Sequence, residues 1–285
     1  MDTFGTTRTH RIAARMCLFI AFVLGGCTVP PPGIANTDGT TLDAPAIDTL
    51  SLLREAADHE ALFTLAGGLK PMSSGIWRGT FLVDDPDLSE VREVRAALAP
   101  LRNDVWYADV QVYDEPYDGE RFADAYVVHR AALAGMIERY ESFWSPWGIT
   151  PDTHPAEVVA VVDRMPKADR WRGYGYLFGY PADAVDFFVE AGIAADQGGD
   201  VGPGKDRRFI HIRTYAEAQG RFTYAVPLEH VLTDADKALA DQARWILEAY
   251  TQRRTRMTDV RNALTELRRL NERFDAAVVV DGASR

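Results

Sequence analysis

The chain is poor in cysteine. Of 285 residues only Cys17 and Cys27 carry a thiol, and both lie near the start. The remaining 258 residues therefore have no disulfide, no cysteine metal ligand and no cysteine nucleophile. A domain built from them must rest on its apolar core alone. Positive charge is also scarce, with 31 Lys and Arg against 42 Asp and Glu, a net of −11. An acidic surface repels phosphate backbones and anionic head groups, which argues against nucleic acid as a partner. Long apolar runs are missing too. The best one, Met16 to Gly26, is about half the roughly twenty residues a membrane span needs. From Leu228 to Asp281 there is neither Gly nor Pro.

What is present begins with charge order. Arg8, Arg11 and Arg15 precede the apolar run, which ends in Leu24-Gly25-Gly26-Cys27. A basic start, an apolar stretch and small residues before a cut site make an export signal. The order resembles a bacterial lipoprotein signal, whose lipobox sets Leu three residues before a lipidated Cys. The resemblance covers residues 1–27 only. It implies cleavage before Cys27, a diacylglyceryl group on that thiol and usually an acyl chain on the new amine. Two or three acyl chains such as palmitate anchor stably, at about 0.8 kcal/mol per buried CH₂. Thr28 is not the Asp that the family links to inner-membrane retention, so the periplasmic face of the outer membrane is implied. Residues 1–26 carry a net +2, so the mature chain of about 259 residues would hold −13. Thr28 to Ala46, with Pro30-Pro31-Pro32, Gly33, Gly39 and Pro45, cannot bury a core and reads as a linker. Its flexible span is about 25 Å. Residues 27–46 are then the anchored linker, and 47–285 one globular domain.

Periodicity predicts an α+β fold for that domain. Helices are expected over 48–66, 88–101, 130–144, 155–164 and 181–191, the last closed by Gly192. Strands are expected over 76–83, 105–113, 122–129, 173–180, 209–215 and 222–226. They would make an antiparallel sheet of about five or six strands packed with helices. A helical pair ends the domain, capped at Thr233 with Asp236 three residues on and again at Thr258.

No catalytic signature stands out, and the reading leans away from an enzyme. Gly199 to Asp206 nearly spells a phosphate loop, but Asp206 replaces the hydroxyl that holds Mg²⁺ and no strand precedes it. Trp171 to Tyr180 is the most unusual stretch. As a strand it sets Tyr174, Tyr176, Phe178 and Tyr180 on one face, a stacking platform for sugars with Arg172 at its rim, or else a core row. His59, His129, His154, His211 and His230 lack the i, i+4 spacing of a zinc helix. His211, in a predicted strand beside Arg213, and His129, at a strand end, are the best placed of them for a ligand. Asp114, Glu115, Asp118 and Glu120 read as a solvated hairpin loop, and Gly67 to Gly75 as a helix-stop loop.

Catalytic, metal and cofactor residues are therefore assigned to none. The candidate ligand residues are Arg172, Tyr174, Tyr176, Tyr180 and His211, with Cys27 as the lipid site. The bilayer is the partner of acylated Cys27. The domain is expected to bind an envelope glycan, peptide or protein. Two alternatives stand: a hydrolase that gathers Lys70, Ser73, Asp109 or His211, and a structural lipoprotein that docks an apolar stripe along Val260 to Phe274.

Overall fold

The first helix starts where linker composition stops. Asp48 accepts from the Ser51 amide at 2.8 Å and caps α1, Thr49–Asp58. Leu52, Leu53, Ala56 and Ala57 form its buried face. The expected single helix to Ala66 is two, because the chain turns at His59 before the buried α2, Leu62–Leu65. The computed structural model describes residues 47–198 and 207–282. The expected export signal, Cys27, the expected linker and the phosphate-loop lookalike lie outside the described residues.

Three strands form one antiparallel sheet in the order β1-β3-β2. They are β1, Met72–Leu82; β2, Trp106–Val112; and β3, Glu120–His129. Between β1 and β2 lies α3, Ser89–Ala97, and Pro100 sits in the short 3₁₀ turn that follows it. In β2, Trp106, Ala108 and Val110 face the core, as their alternation predicts. β4, Arg207–His211, and β5, Thr223–Pro227, form a separate two-stranded antiparallel sheet. The expectation of one sheet of five or six strands is thus corrected to sheets of three and two.

The missing strand is a helix. Residues Lys167–Leu177 form α7, set between α6, Pro155–Arg164, and α8, Ala182–Asp196. The alternating glycines serve close helix packing. A Cβ on Gly173 would stand 3.2 Å from the Val162 methyls, and one on Gly175 would stand 2.7 Å from Val185. The helix stops at Gly179 (φ 71°) in a Schellman motif. The Gly179 amide bonds Tyr176 O at 3.0 Å, and the Tyr180 amide bonds Gly175 O at 3.1 Å. Gly192 does not end α8. It lies inside that helix under the Trp171 indole, where a Cβ would not fit.

After β3 come α4, Arg130–Arg139, and α5, Glu141–Trp144. The C-terminal pair is α9, Asp234–Thr251, and α10, Val260–Gly282, joined through a 3₁₀ turn at Arg254–Arg256. Thr233 and Asp236 form a reciprocal capping box. At the second helix Asp259, not Thr258, accepts the Asn262 amide at 2.9 Å. Ala263, Leu267, Leu270 and Phe274 are buried in the core shared with α1 and α2. Asn271 fixes this packing by donating to Leu65 O at 2.7 Å. The stripe that a docking arm would display is therefore packed internally.

Candidate binding site

The helix at 167–177 dissolves the aromatic row. Tyr174 accepts from the Gln111 amide at 2.7 Å on β2. Tyr176 stacks on Tyr140 at 3.9 Å. Tyr180 packs on Phe222 and Tyr224 at 6.1 and 6.0 Å. Tyr174 and Tyr180 flank the buried Phe178 at 5.7 and 6.0 Å while Tyr176 turns to Tyr140, so the half-buried or buried rings do not line one open face for a sugar. Arg172 reaches the Tyr176 hydroxyl at 3.4 Å and ion-pairs with Asp186. His211 is exposed on β4 and meets Thr223 Oγ1 at 2.9 Å. No hydrogen bond or ring contact among the described residues joins it to the other four.

Of the residues named for a hydrolase, Lys70 and Ser73 both bond Glu60 inside the core, Ser73 through the main-chain oxygen at 3.4 Å, but neither Asp109 nor His211 bonds to them. Lys70 is 1% exposed and donates to Glu60 Oε2 at 3.0 Å. Its ammonium also lies 4.8 Å from the Phe222 ring and 5.4 Å from Phe178. Burial lowers its pKa, and Glu60 opposes that shift. Ser73 bonds Thr64 Oγ1 at 2.8 Å, also inside the core. Asp109 instead holds Arg95 and Arg102 at 3.0 and 3.1 Å near the surface. His129 and His154 cap α4 and α6 through their ring nitrogens. Among the described residues no group of three His, Cys, Asp or Glu could hold a metal. The acidic hairpin turns through Asp118 (φ 51°) and Gly119 (φ 80°).

The constellation that sequence reasoning missed sits on β1. Ser74 pairs with Tyr126 and Arg78 with Asp124, so Gly75, Ile76 and Trp77 stand opposite Ala125 alone. Such a bulge bends the strand and takes main-chain groups out of the ladder. Gly75 has φ 76°, and a Cβ there would stand 2.8 Å from a terminal guanidinium nitrogen of Arg78. Glycine thus lets Arg78 fold back over the backbone. From the other side Arg221, just before β5, directs Nη1 at Gly75 O, at 3.5 Å. The Trp77 indole lies over Gly79 and donates to Glu90 at 2.9 Å. Between this bulge and α1 is a cavity of about 490 Å³, whose helix side carries Asp48, Ser51, Leu52 and Glu55. That volume falls in the range of small-ligand sites.

Its charges are only loosely matched. Arg78 Nε stands 3.8 Å from Asp124 Oδ2, beyond hydrogen-bond length. Asp124 lies beneath, 5% exposed in its side chain, with Tyr113 and Ser74 hydroxyls at 3.2 and 3.5 Å. Burial raises its carboxyl above the ordinary range, against the pull of Arg78, Tyr113 and Ser74. The Arg221 guanidinium and the Glu55 carboxylate form no ion pair with any described residue. The site can accept an anion at its strand side and a cation at its helix side. The local signal was Gly75-Ile76-Trp77-Arg78-Gly79, two glycines around an aromatic and an arginine in a strand pattern. Arg221, 146 residues from Gly75, carried no such signal. Comparison with protein-family models, curated proteins and solved structures found no match.

Proposed function

We propose that this chain is an exported lipoprotein, held by acylated Cys27 at the periplasmic face of the outer membrane, whose domain binds an anionic group of an envelope partner beside Gly75. The anchor rests on the lipobox Leu24 to Cys27 and on the Pro-rich linker behind it. The binding role rests on one observation: Arg78 and Arg221 converge on Gly75, and no carboxylate fully engages either. Guanidinium groups present planar forks that match a carboxylate, and two of them together fix its place. In a strongly acidic protein an anion is repelled at long range, so the pocket selects through close contact.

Two experiments test this. Cys27→Ser should abolish lipid modification and release the protein into the soluble periplasmic fraction. An unchanged membrane fraction counts against the anchor. For the pocket, the full chain in detergent is titrated calorimetrically with acetyl-alanyl-alanine, which has one free carboxylate. Arg221→Gln should weaken binding about tenfold, the loss of about one charge-assisted hydrogen bond. Equal affinity, or none in either protein, removes the arginine site.

A further inference from the structure

We infer that the pocket's ligand is a short peptide with a free carboxylate and a free amine, lying along the β1 bulge with its carboxylate on Arg78 and Arg221 and its ammonium on Glu55. This deepens the proposed binding role and rests on it.

Three features narrow the chemistry. First, the cavity has two chemically opposite sides. The strand side carries the arginines at Gly75, and the helix side carries Asp48 and Glu55. Hydrogen bonds from Ser51 keep the Asp48 carboxyl below its ordinary range, so the helix side is negative at neutral pH. A polyanion such as a phosphate chain would gain at Arg78 and Arg221 and be repelled by Asp48, Glu55 and Glu90. A purely apolar ligand would strip water from charged groups without replacing it. A dipolar ligand matches both ends.

Second, the bulge favours a peptide. Gly75, Ile76 and Trp77 are out of register with β3, so their main-chain groups lie outside the regular ladder. No described strand pairs with β1 on the side away from β3. Extended peptides are read by strand edges through such groups. Third, the floor is apolar. Ile47, Leu52 and Ile76 line it, and the Trp77 ring is braced over Gly79 and tied to Glu90. That gives aliphatic side chains of a ligand a surface to cover.

The test uses the full chain in detergent and two calorimetric probes. One is lysyl-alanyl-alanine; the other is the same peptide acetylated on both amines. The free peptide should bind at least tenfold tighter. Glu55→Gln, an exposed change on α1, should erase that advantage and leave the acetylated peptide's affinity unaltered. Arg221→Gln should weaken both probes. If both peptides bind equally and Glu55→Gln alters neither, the pocket reads an anion alone; the inference falls and the arginine reading stands. If Arg221→Gln also changes nothing, both fall. Circular dichroism of each variant guards against misfolding as the cause of a loss.

Discussion

The two halves of β1 treat charge in opposite ways. Met72 to Ser74 is wholly buried, and past the buried bulge glycine Gly75 the strand is half-buried or exposed as far as Leu82. Beside the first half, the Lys70 ammonium is closed off by Glu60 and two aromatic rings, while Thr64 and Ser73 satisfy each other. In the second half, Arg78 and Trp77 reach toward water and Arg221 joins them. The difference follows from solvation. A buried charge costs several kcal/mol unless the protein supplies its partner, whereas a charge at the rim keeps part of its water and can wait for one. The first half therefore serves the fold, and the second is free to serve a ligand.

The largest effect that would break this division is at Lys70. Lys70→Met leaves Glu60 buried without its cation, and stability should drop by about 3–5 kcal/mol. Adding Glu60→Leu should restore much of it, since an apolar pair of similar volume fits such a site. Urea unfolding of the wild type, both single variants and the double variant measures this. A Lys70→Met protein as stable as the wild type would mean that water reaches Glu60, and the sealed half would not be sealed.

The next effect compares two glycines. Gly179 closes α7 against the turn that carries Lys70. A Cβ there would stand 2.8 Å from Leu69 O, which is backbone and cannot step aside. With φ at 71°, Gly179→Ala should cost about 1–3 kcal/mol. At Gly75, whose φ is 76°, the near atom is the mobile tip of Arg78. Gly75→Ala should cost about 1 kcal/mol from backbone strain and displace Arg78, so peptide affinity falls more than stability does. Thermal melts and titrations of both variants show whether the halves part in this way. Equal losses of stability and binding at both positions would merge them.

These glycines also show how far local pattern reaches. The C-terminal helical pair was legible because no Gly or Pro interrupts it and Thr233 and Asp236 spell its cap. The β2 and β3 strands were legible from alternation in Trp106 to Val112. Trp171 to Tyr180 misled because alternating Gly and Tyr has the period of a strand. The helix wins there because Gly173 and Gly175 let Val162 and Val185 approach, and tertiary packing overrides propensity. A counter-signal was available in Gly179 two residues before Pro181, the usual order at a helix end. The pocket was not legible. Its bulge lies in a register between β1 and β3, and its second arginine comes from beyond two thirds of the chain. Neither relation has a local periodicity to betray it.

Asp124 stands at the boundary of the two halves, and pH can tell to which it belongs. Its carboxyl faces Arg78, Tyr113 and Ser74, with Glu60 adding repulsion. Burial, the largest influence, raises its pKa in the folded state above that of the unfolded chain. The folded protein then binds that proton more tightly, so the carboxyl favours folding at acid pH and loses this favour as pH rises through the raised value. Asp124→Asn keeps the hydroxyl contacts and removes the titration. Relative to the wild type it should gain stability between pH 4 and pH 7. Urea unfolding at the two values gives the difference between the proteins, which cancels the opposite trends of Asp58 and Asp236. A constant difference would place Asp124 with the solvated half.

The smallest effect on folding should be at Arg221, and its smallness is the point. Arg254 offers a matched control. It holds Asp58 with two hydrogen bonds of 2.6 Å and lies over Tyr215 at 4.6 Å, so it works for the fold. Arg221 is similarly half-buried, yet among the described residues its one hydrogen bond is the 3.5 Å contact to Gly75 O. Arg254→Gln should cost about 1–3 kcal/mol, since it strips a charged bidentate bond and leaves Asp58 unmatched. Arg221→Gln should stay within about 0.5 kcal/mol of the wild type. A guanidinium at the pocket that can be removed at so little cost to folding is what the proposed carboxylate ligand requires. Were Arg221→Gln to destabilise as much as Arg254→Gln, the guanidinium's partner would lie within the fold, and the second half of β1 would be no freer than the first.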